Sequence, residues 1–176
     1  MARVHGCGSD NLLAFFKMNI LWAPWRMTYI RGEKQKDCLF CNAPHAGNDS
    51  AKFILLRSDH VFVMLNAFPY NNGHLLVSPY RHVPSLEDLA DPLQLDLMRT
   101  LQRGLAALRA AFRPEGFNIG ANLGRVAGAG IEAHLHFHIV PRWGGDTNFM
   151  TVIPEVRVLP QTLEETYKEL LPHFHP

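Results

Sequence analysis

The sequence predicts an α+β domain: an antiparallel five-stranded sheet with one main helix and a C-terminal helix. Three observations carry that expectation. Short apolar runs of strand length recur between turn-forming residues. A single stretch, from Asp91 to about Arg113, repeats leucine at helical spacing. Near the C-terminus, Thr162 and Glu165 stand three residues apart ahead of an apolar run, the signature of a capped helix start. Hairpin-like strands beside few helices suit an α+β arrangement rather than alternating β and α units.

In chain order, residues 1–17 read as a disordered or loosely docked N-terminal extension, and 18–176 as a single domain with its core in 38–143. Residues 19–30 crowd Trp22, Trp25 and Tyr29 around one proline. So aromatic a segment packs on its own domain or covers a partner subunit or base pocket. Lys52 to Arg57 and His60 to Leu65 read as two strands around a Ser58-Asp59 turn. Pro69, Asn71, Asn72 and Gly73 form a loop ahead of a third strand, His74 to Ser78, which Pro79 ends. Asp91-Pro92 reads as a capping acid followed by proline at the first helical position. Leu93, Leu97, Leu101, Leu105, Leu108 and Phe112 then mark the core face of the main helix. Phe117 to Asn122 and 132–140 are the fourth and fifth strands, and the last helix spans 163–171.

A chain of 176 residues is long enough to bury a proper core. A formal net charge of +1 gives no electrostatic footprint for polymeric DNA or RNA. It does not oppose a small nucleotide, which needs only local donors. Three cysteines, two of them in Cys38-x-x-Cys41, argue against a secreted disulfide framework and for a reducing, cytoplasmic setting. No apolar run approaches the ~18 residues needed to span a membrane, and no secretory signal is expected.

The chemistry concentrates in His134-Leu-His136-Phe-His138-Ile-Val-Pro141-Arg142. In an extended strand, alternate side chains share a face, so Leu135, Phe137 and Ile139 enter the core. The three imidazoles then line the other face, roughly 6–7 Å apart, and Pro141 ends the strand. Just upstream, Asn122-Leu-Gly-Arg125-Val-Ala-Gly128-Ala-Gly130 is a glycine-rich loop whose free backbone N–H groups suit a phosphate. A His-x-His pair also suits a zinc hydrolase that activates water on the metal. The adjoining glycine loop weighs against metal-only use. Imidazole attack on phosphorus needs one bare ring nitrogen and the other donating to a fixed acceptor.

On these residues the chain resembles the histidine-triad (HIT) nucleotide-binding family. Asn66-Ala-Phe-Pro-Tyr-Asn-Asn-Gly-His74 through Arg81-His82 is similar to the family's ribose-binding turn and following strand. The segments 21–30 and 141–149 are similar to its bacterial diadenosine-tetraphosphate (Ap4A) phosphorylase-like branch. The resemblance implies a HIT-like fold, probed below, and a homodimer. It implies His136 as nucleophile, His138 as the phosphate contact and His74 as the supporting histidine. Asn66 would grip ribose, Asn122, Gly128 and Gly130 would line the phosphate, and Trp143 would touch substrate. In zinc-bearing relatives, residues matching His82 and His134 complete a structural site with Cys38 and Cys41. Free thiols in a reduced core are the alternative.

One position departs from the pattern. Many family members carry Ser or Thr three residues before the first triad histidine, where this chain has Ile131. A local hydroxyl for the leaving group is therefore missing, which leaves phosphate or water as acceptor. The implied activity is cleavage of dinucleoside polyphosphates such as diadenosine tetraphosphate through a nucleotidyl-histidine. A nucleoside phosphoramidase of the same family and a nucleotide-binding sensor with little turnover are the alternatives.

Overall fold

A computed structural model describes residues 37–146 and 159–175 of the chain. The expected extension 1–17, the aromatic segment 19–30 and the end of the 141–149 flank lie outside these residues. Five strands form one antiparallel sheet: β1 (Ile54–Arg57), β2 (Val61–Leu65), β3 (Leu75–Pro79), β4 (Gly116–Ala121) and β5 (Phe137–Arg142). Their spatial order is β1-β2-β3-β5-β4. Among the described residues, three α-helices accompany them: α1 (Leu39–Asn42), α2 (Asp91–Phe112) and α3 (Leu163–Phe174). Short 3₁₀ turns link several of these elements. The α+β expectation holds.

Alternation along the central strands explains the layers. Val63 and Leu65 of β2, with Leu75 and Val77 of β3, join Leu97, Leu101 and Leu108 of α2 in one core, closed by Leu170 and Phe174 of α3. The neighbouring residues Phe62, Met64 and Leu76 point the other way and meet Phe40 of α1. Both faces of β2 are thus covered, which is why all five of its residues are buried. Each fully buried Leu, Val or Phe contributes about 1.5–3 kcal/mol relative to exposure. Gly104 lets α2 approach the sheet: a Cβ there would lie 2.9 Å from Ile139 Cδ1.

Asp91 is the first helical residue rather than the cap. The cap position falls on Ala90, whose side chain cannot cap. Asp91 instead places its carboxylate in the first turn, where the helix dipole favours it. At the other end, Arg113 takes a left-handed conformation (φ 49°) and its N–H bonds Arg109 O. The capping box of α3 forms as expected: Thr162 Oγ1 accepts the Glu165 N–H at 3.2 Å, and the Glu165 carboxylate accepts the Thr162 N–H at 2.8 Å. This helix runs to Phe174 rather than 171, because Phe174 is 2% exposed and seated in the core.

Two strand expectations need correction. The fifth strand starts at Phe137, not 132; residues 131–136 form a turn and a short extended approach to it. Two bonds fix that approach: Leu135 N–H to Val83 O at 2.7 Å, and Ser78 Oγ to Leu135 O at 2.9 Å. Pro141 does not end β5 but sits within it, opposite Phe117. Arg142 O accepts the Glu115 N–H, so residue 142 faces β4 and residue 141 faces away from it. On that side the pairing with β3 has already stopped at Leu75 and Ile139. The missing proline N–H therefore costs no ladder bond, and Asn71 Nδ2 donates to Pro141 O at 3.1 Å. Pro79 likewise closes β3 from inside, paired with Val61. No described helix is long and apolar enough to cross a membrane.

Candidate active site and metal-ligand cluster

Two of the alternating histidines, His136 and His138, face one cleft, and His134 faces elsewhere. His136 is 7% exposed, and its Nδ1 lies 2.8 Å from the backbone oxygen of His134. A carbonyl oxygen only accepts, so Nδ1 carries the proton and Nε2 keeps its lone pair. Burial pulls the His136 pKa below the ordinary histidine value and outweighs that carbonyl bond, which acts the other way. The ring at neutral pH is therefore the uncharged Nδ1–H tautomer.

His138 belongs to a second chain of donors. The Tyr70 N–H donates to His74 Nδ1 at 3.0 Å, and Asn66 Nδ2 lies 3.3 Å from the same atom. His74 Nδ1 is thus an acceptor, and the proton of the neutral ring sits on Nε2. That nitrogen lies 2.9 Å from His138 Nδ1. The same logic moves the His138 proton to its Nε2. His74 is 1% exposed, so the relay is held inside the fold. The Tyr70 ring stacks on His138 at 5.7 Å between centroids. Rings of His136 and His138 stand 5.1 Å apart.

Both rings open onto a cleft of about 260 Å³. Its walls combine apolar Leu39, Phe40, Phe53 and Phe68 with polar Asn66, Asn122, His136 and His138. Gly128 and Gly130 also line it. The glycine loop is less open to a ligand than its composition implied. The Gly128 N–H bonds Arg125 O and the Ala129 N–H bonds Gly124 O, at 3.0 and 3.4 Å. Left-handed Gly124 (φ 79°) and Gly128 (φ 88°) make that self-bonded turn, a conformation L side chains resist. Trp143 does not line the cleft; it is half-buried beyond β5, in a turn that Asp146 anchors.

His134 turns from the cleft to a different group. His134, His82, Cys38 and Cys41 bring their ligand atoms within 4.8 Å of one another. Cys38 Sγ and His82 Nδ1 each lie 3.2 Å from His134 Nδ1, and Cys41 Sγ lies 3.2 Å from His82 Nδ1. Tetrahedral zinc with ordinary Zn–S and Zn–N bonds separates its ligand atoms by about 3.3–3.8 Å. His134 Nε2 lies 2.9 Å from Pro79 O and must donate to it, so Nδ1 presents a lone pair to the two sulfurs. Burial lowers the His134 pKa and raises that of Cys41, where the Cys38 thiol adds to the effect. A two-sulfur, two-imidazole set at this spacing fits a structural zinc ion.

Sequence reading missed two contributors. Phe40, 1% exposed, stacks on His136 at 4.7 Å. Its place inside Cys38-x-x-Cys41 was the available signal. Tyr70 supplies the N–H that sets the His74 tautomer, and it stands four residues before that histidine in the same turn.

A paired-histidine cleft on this antiparallel sheet defines a class, and the comparisons agree. A family model described as HIT domain matches residues 48–145. The chain belongs to the HIT family. It is 41% identical over 158 residues to a Mycobacterium tuberculosis protein named "AP-4-A phosphorylase", covering 85% of this chain and 81% of that one. Among solved structures it is similar to a Zn-bound histidine triad family protein from Mycobacterium smegmatis. That match has a TM-score of 0.63 at 26% identity and covers 78% of this chain and 93% of the other. A HIT family member from Bacillus subtilis gives a TM-score of 0.57 at 28% identity, covering 62% and 76%.

Proposed function

We propose that this chain cleaves dinucleoside polyphosphates, with diadenosine tetraphosphate the lead substrate, through a nucleotidyl-histidine on His136. The observation that carries the reading is the His136 ring, neutral, with Nδ1 committed to the His134 carbonyl and Nε2 left to act. The relative named AP-4-A phosphorylase supports the substrate class.

In this reading Nε2 of His136 attacks the α-phosphorus in line. The bond from phosphorus to the bridging oxygen breaks, and ATP leaves. Nε2–H of His138, set by the relay from Tyr70 and His74, hydrogen-bonds the phosphate oxygens and the leaving oxygen and stabilises the negative charge that develops there, so that ATP leaves as its anion and His138 keeps its proton. An acceptor oxygen then attacks phosphorus, the P–Nε2 bond breaks, and the ring returns to its starting tautomer. Phosphate as acceptor yields ADP, and water yields AMP. Asn66, Asn122 and the Gly128–Gly130 turn would hold ribose and phosphate, and the apolar lining of the cleft would take a base.

Cys38, Cys41, His82 and His134 would hold a structural zinc ion, which cross-links α1 to the sheet and adds folding energy when bound. The reading further makes the protein a single cytoplasmic domain that forms a homodimer. β4 is an edge strand, and its Ile119 is 48% exposed, which suits a covered edge.

Product analysis with diadenosine tetraphosphate tests the activity. ATP plus ADP formed only with phosphate supports phosphorolysis, and ATP plus AMP supports hydrolysis. An intact substrate under both conditions, with no turnover of a nucleoside phosphoramidate, would leave only a binder.

A further inference from the structure

The Cys/His cluster and the proposed nucleophile share two mechanical links. The first is His134 itself. Its ring faces the two sulfurs, while its backbone oxygen holds His136 Nδ1 at 2.8 Å. The second is Phe40. It stands in α1 between Cys38 and Cys41, and its ring stacks on His136 at 4.7 Å and 30° while touching His134 at 5.3 Å. Phe40 is 1% exposed and packs with Ala43, Phe62, Met64 and Leu76, which hold its ring against the sheet. α1 is a four-residue helix, too short to hold its place by its own backbone bonds. Its position depends on Phe40 and Ala43 in the core and on Cys38 and Cys41, which flank Phe40 in the cluster.

We propose that Phe40 is a positioning residue for His136, and that the metal-bound cluster sets its position. The ion would fix α1, α1 would fix Phe40, and Phe40 with the His134 carbonyl would hold the imidazole in one orientation. The carbonyl bond restrains one ring nitrogen; a flat aromatic face against the ring limits the remaining rotation about its side-chain torsions. Misplacing a reacting atom by about 1 Å can cost on the order of 100-fold in rate. Rigid support of a functional side chain by a packed neighbour is the general means of avoiding that loss. This inference rests on His136 being the nucleophile, but its signature in the ring can be read without turnover.

The test uses the full chain, zinc-loaded, with ¹³C at histidine Cε1, and compares wild type, Phe40→Leu and chelator-treated wild type. The expected result is a single sharp His136 signal in the loaded wild type. In Phe40→Leu, with zinc content unchanged, that signal should broaden or split, kcat should fall about 10- to 100-fold, and KM should change little. Chelation should broaden the same signal with no substitution made, which covers a variant that fails to fold. A sharp, unshifted His136 signal in either the folded Phe40→Leu chain or the metal-free wild type overturns the proposal. If the wild type turned over no dinucleotide, the signal would still report the coupling, so the two ideas fail separately.

Discussion

Nε2 of His74 lies 2.9 Å from Nδ1 of His138, and the Tyr70 N–H at the far side of His74 gives that contact a direction. A backbone donor can only donate, so each ring downstream has its proton placed for it. Buried His74 thus fixes which nitrogen of His138 carries hydrogen toward the cleft.

Removing the donor at the end of this relay should slow the reaction most when the leaving group is poor. His138→Ala is expected to lower kcat/KM by about 10²–10⁴-fold on diadenosine tetraphosphate. With a nitrophenyl ester of AMP, whose leaving oxygen spreads its charge into the ring, the deficit should shrink. Steady-state kinetics on both substrates checks this. An equal loss on the two would argue against stabilisation of the leaving oxygen by His138.

The acid side of the pH profile follows from His136. Burial lowers its pKa below 6.5, against the weaker pull of the His134 carbonyl. The neutral, reactive ring therefore predominates at pH 6.5 and above and is lost as pH falls through the lowered value. The acid limb of kcat/KM should have its midpoint below pH 6.5. A decline centred above 6.5 would contradict a buried neutral ring.

Losing the metal ligands should show in stability before activity is considered. Cys38→Ala should release bound zinc and lower the melting temperature by several degrees, since about 1 kcal/mol shifts Tm by about 2–4 °C in a chain of this size. Chelation of wild type should give a similar shift, and further chelation of Cys38→Ala none. Metal quantification with thermal melts decides; zinc-free wild type after gentle purification would remove the site.

Gly104 offers a check on the core. Its missing Cβ is what lets α2 meet Ile139, so Gly104→Val should overpack that contact and cost about 1–3 kcal/mol. Urea titration measures it. Unchanged stability would mean that helix and sheet have slack at this crossing.

Much of the fold was legible because local rules and tertiary packing agree. Apolar runs between Ser58-Asp59 and Asn71-Asn72-Gly73 marked the hairpin strands, and Thr162 with Glu165 marked α3. Pro141 was misread because proline's cost in a strand depends on which neighbour its missing N–H faces. That follows from the sheet order, which no local pattern contains. The start of β5 was misplaced because alternation continues through His134 and His136 while ladder pairing does not. At the site, the His-x-His-x-His spacing did put His136 and His138 on one cleft. It could not show that His134 would turn to Cys38, Cys41 and His82, since those partners lie about 50 to 96 residues away in sequence. For the glycine loop, composition shows capacity for φ > 0, not that the Gly128 and Ala129 N–H groups bond Arg125 O and Gly124 O.

The most direct measurement is turnover of diadenosine tetraphosphate by His136→Ala beside wild type, with folding and zinc content matched. The nucleophile assignment predicts a loss of at least about 10³-fold in kcat, because the P–N bond then has no nitrogen to form on. Undiminished turnover by that variant would contradict it.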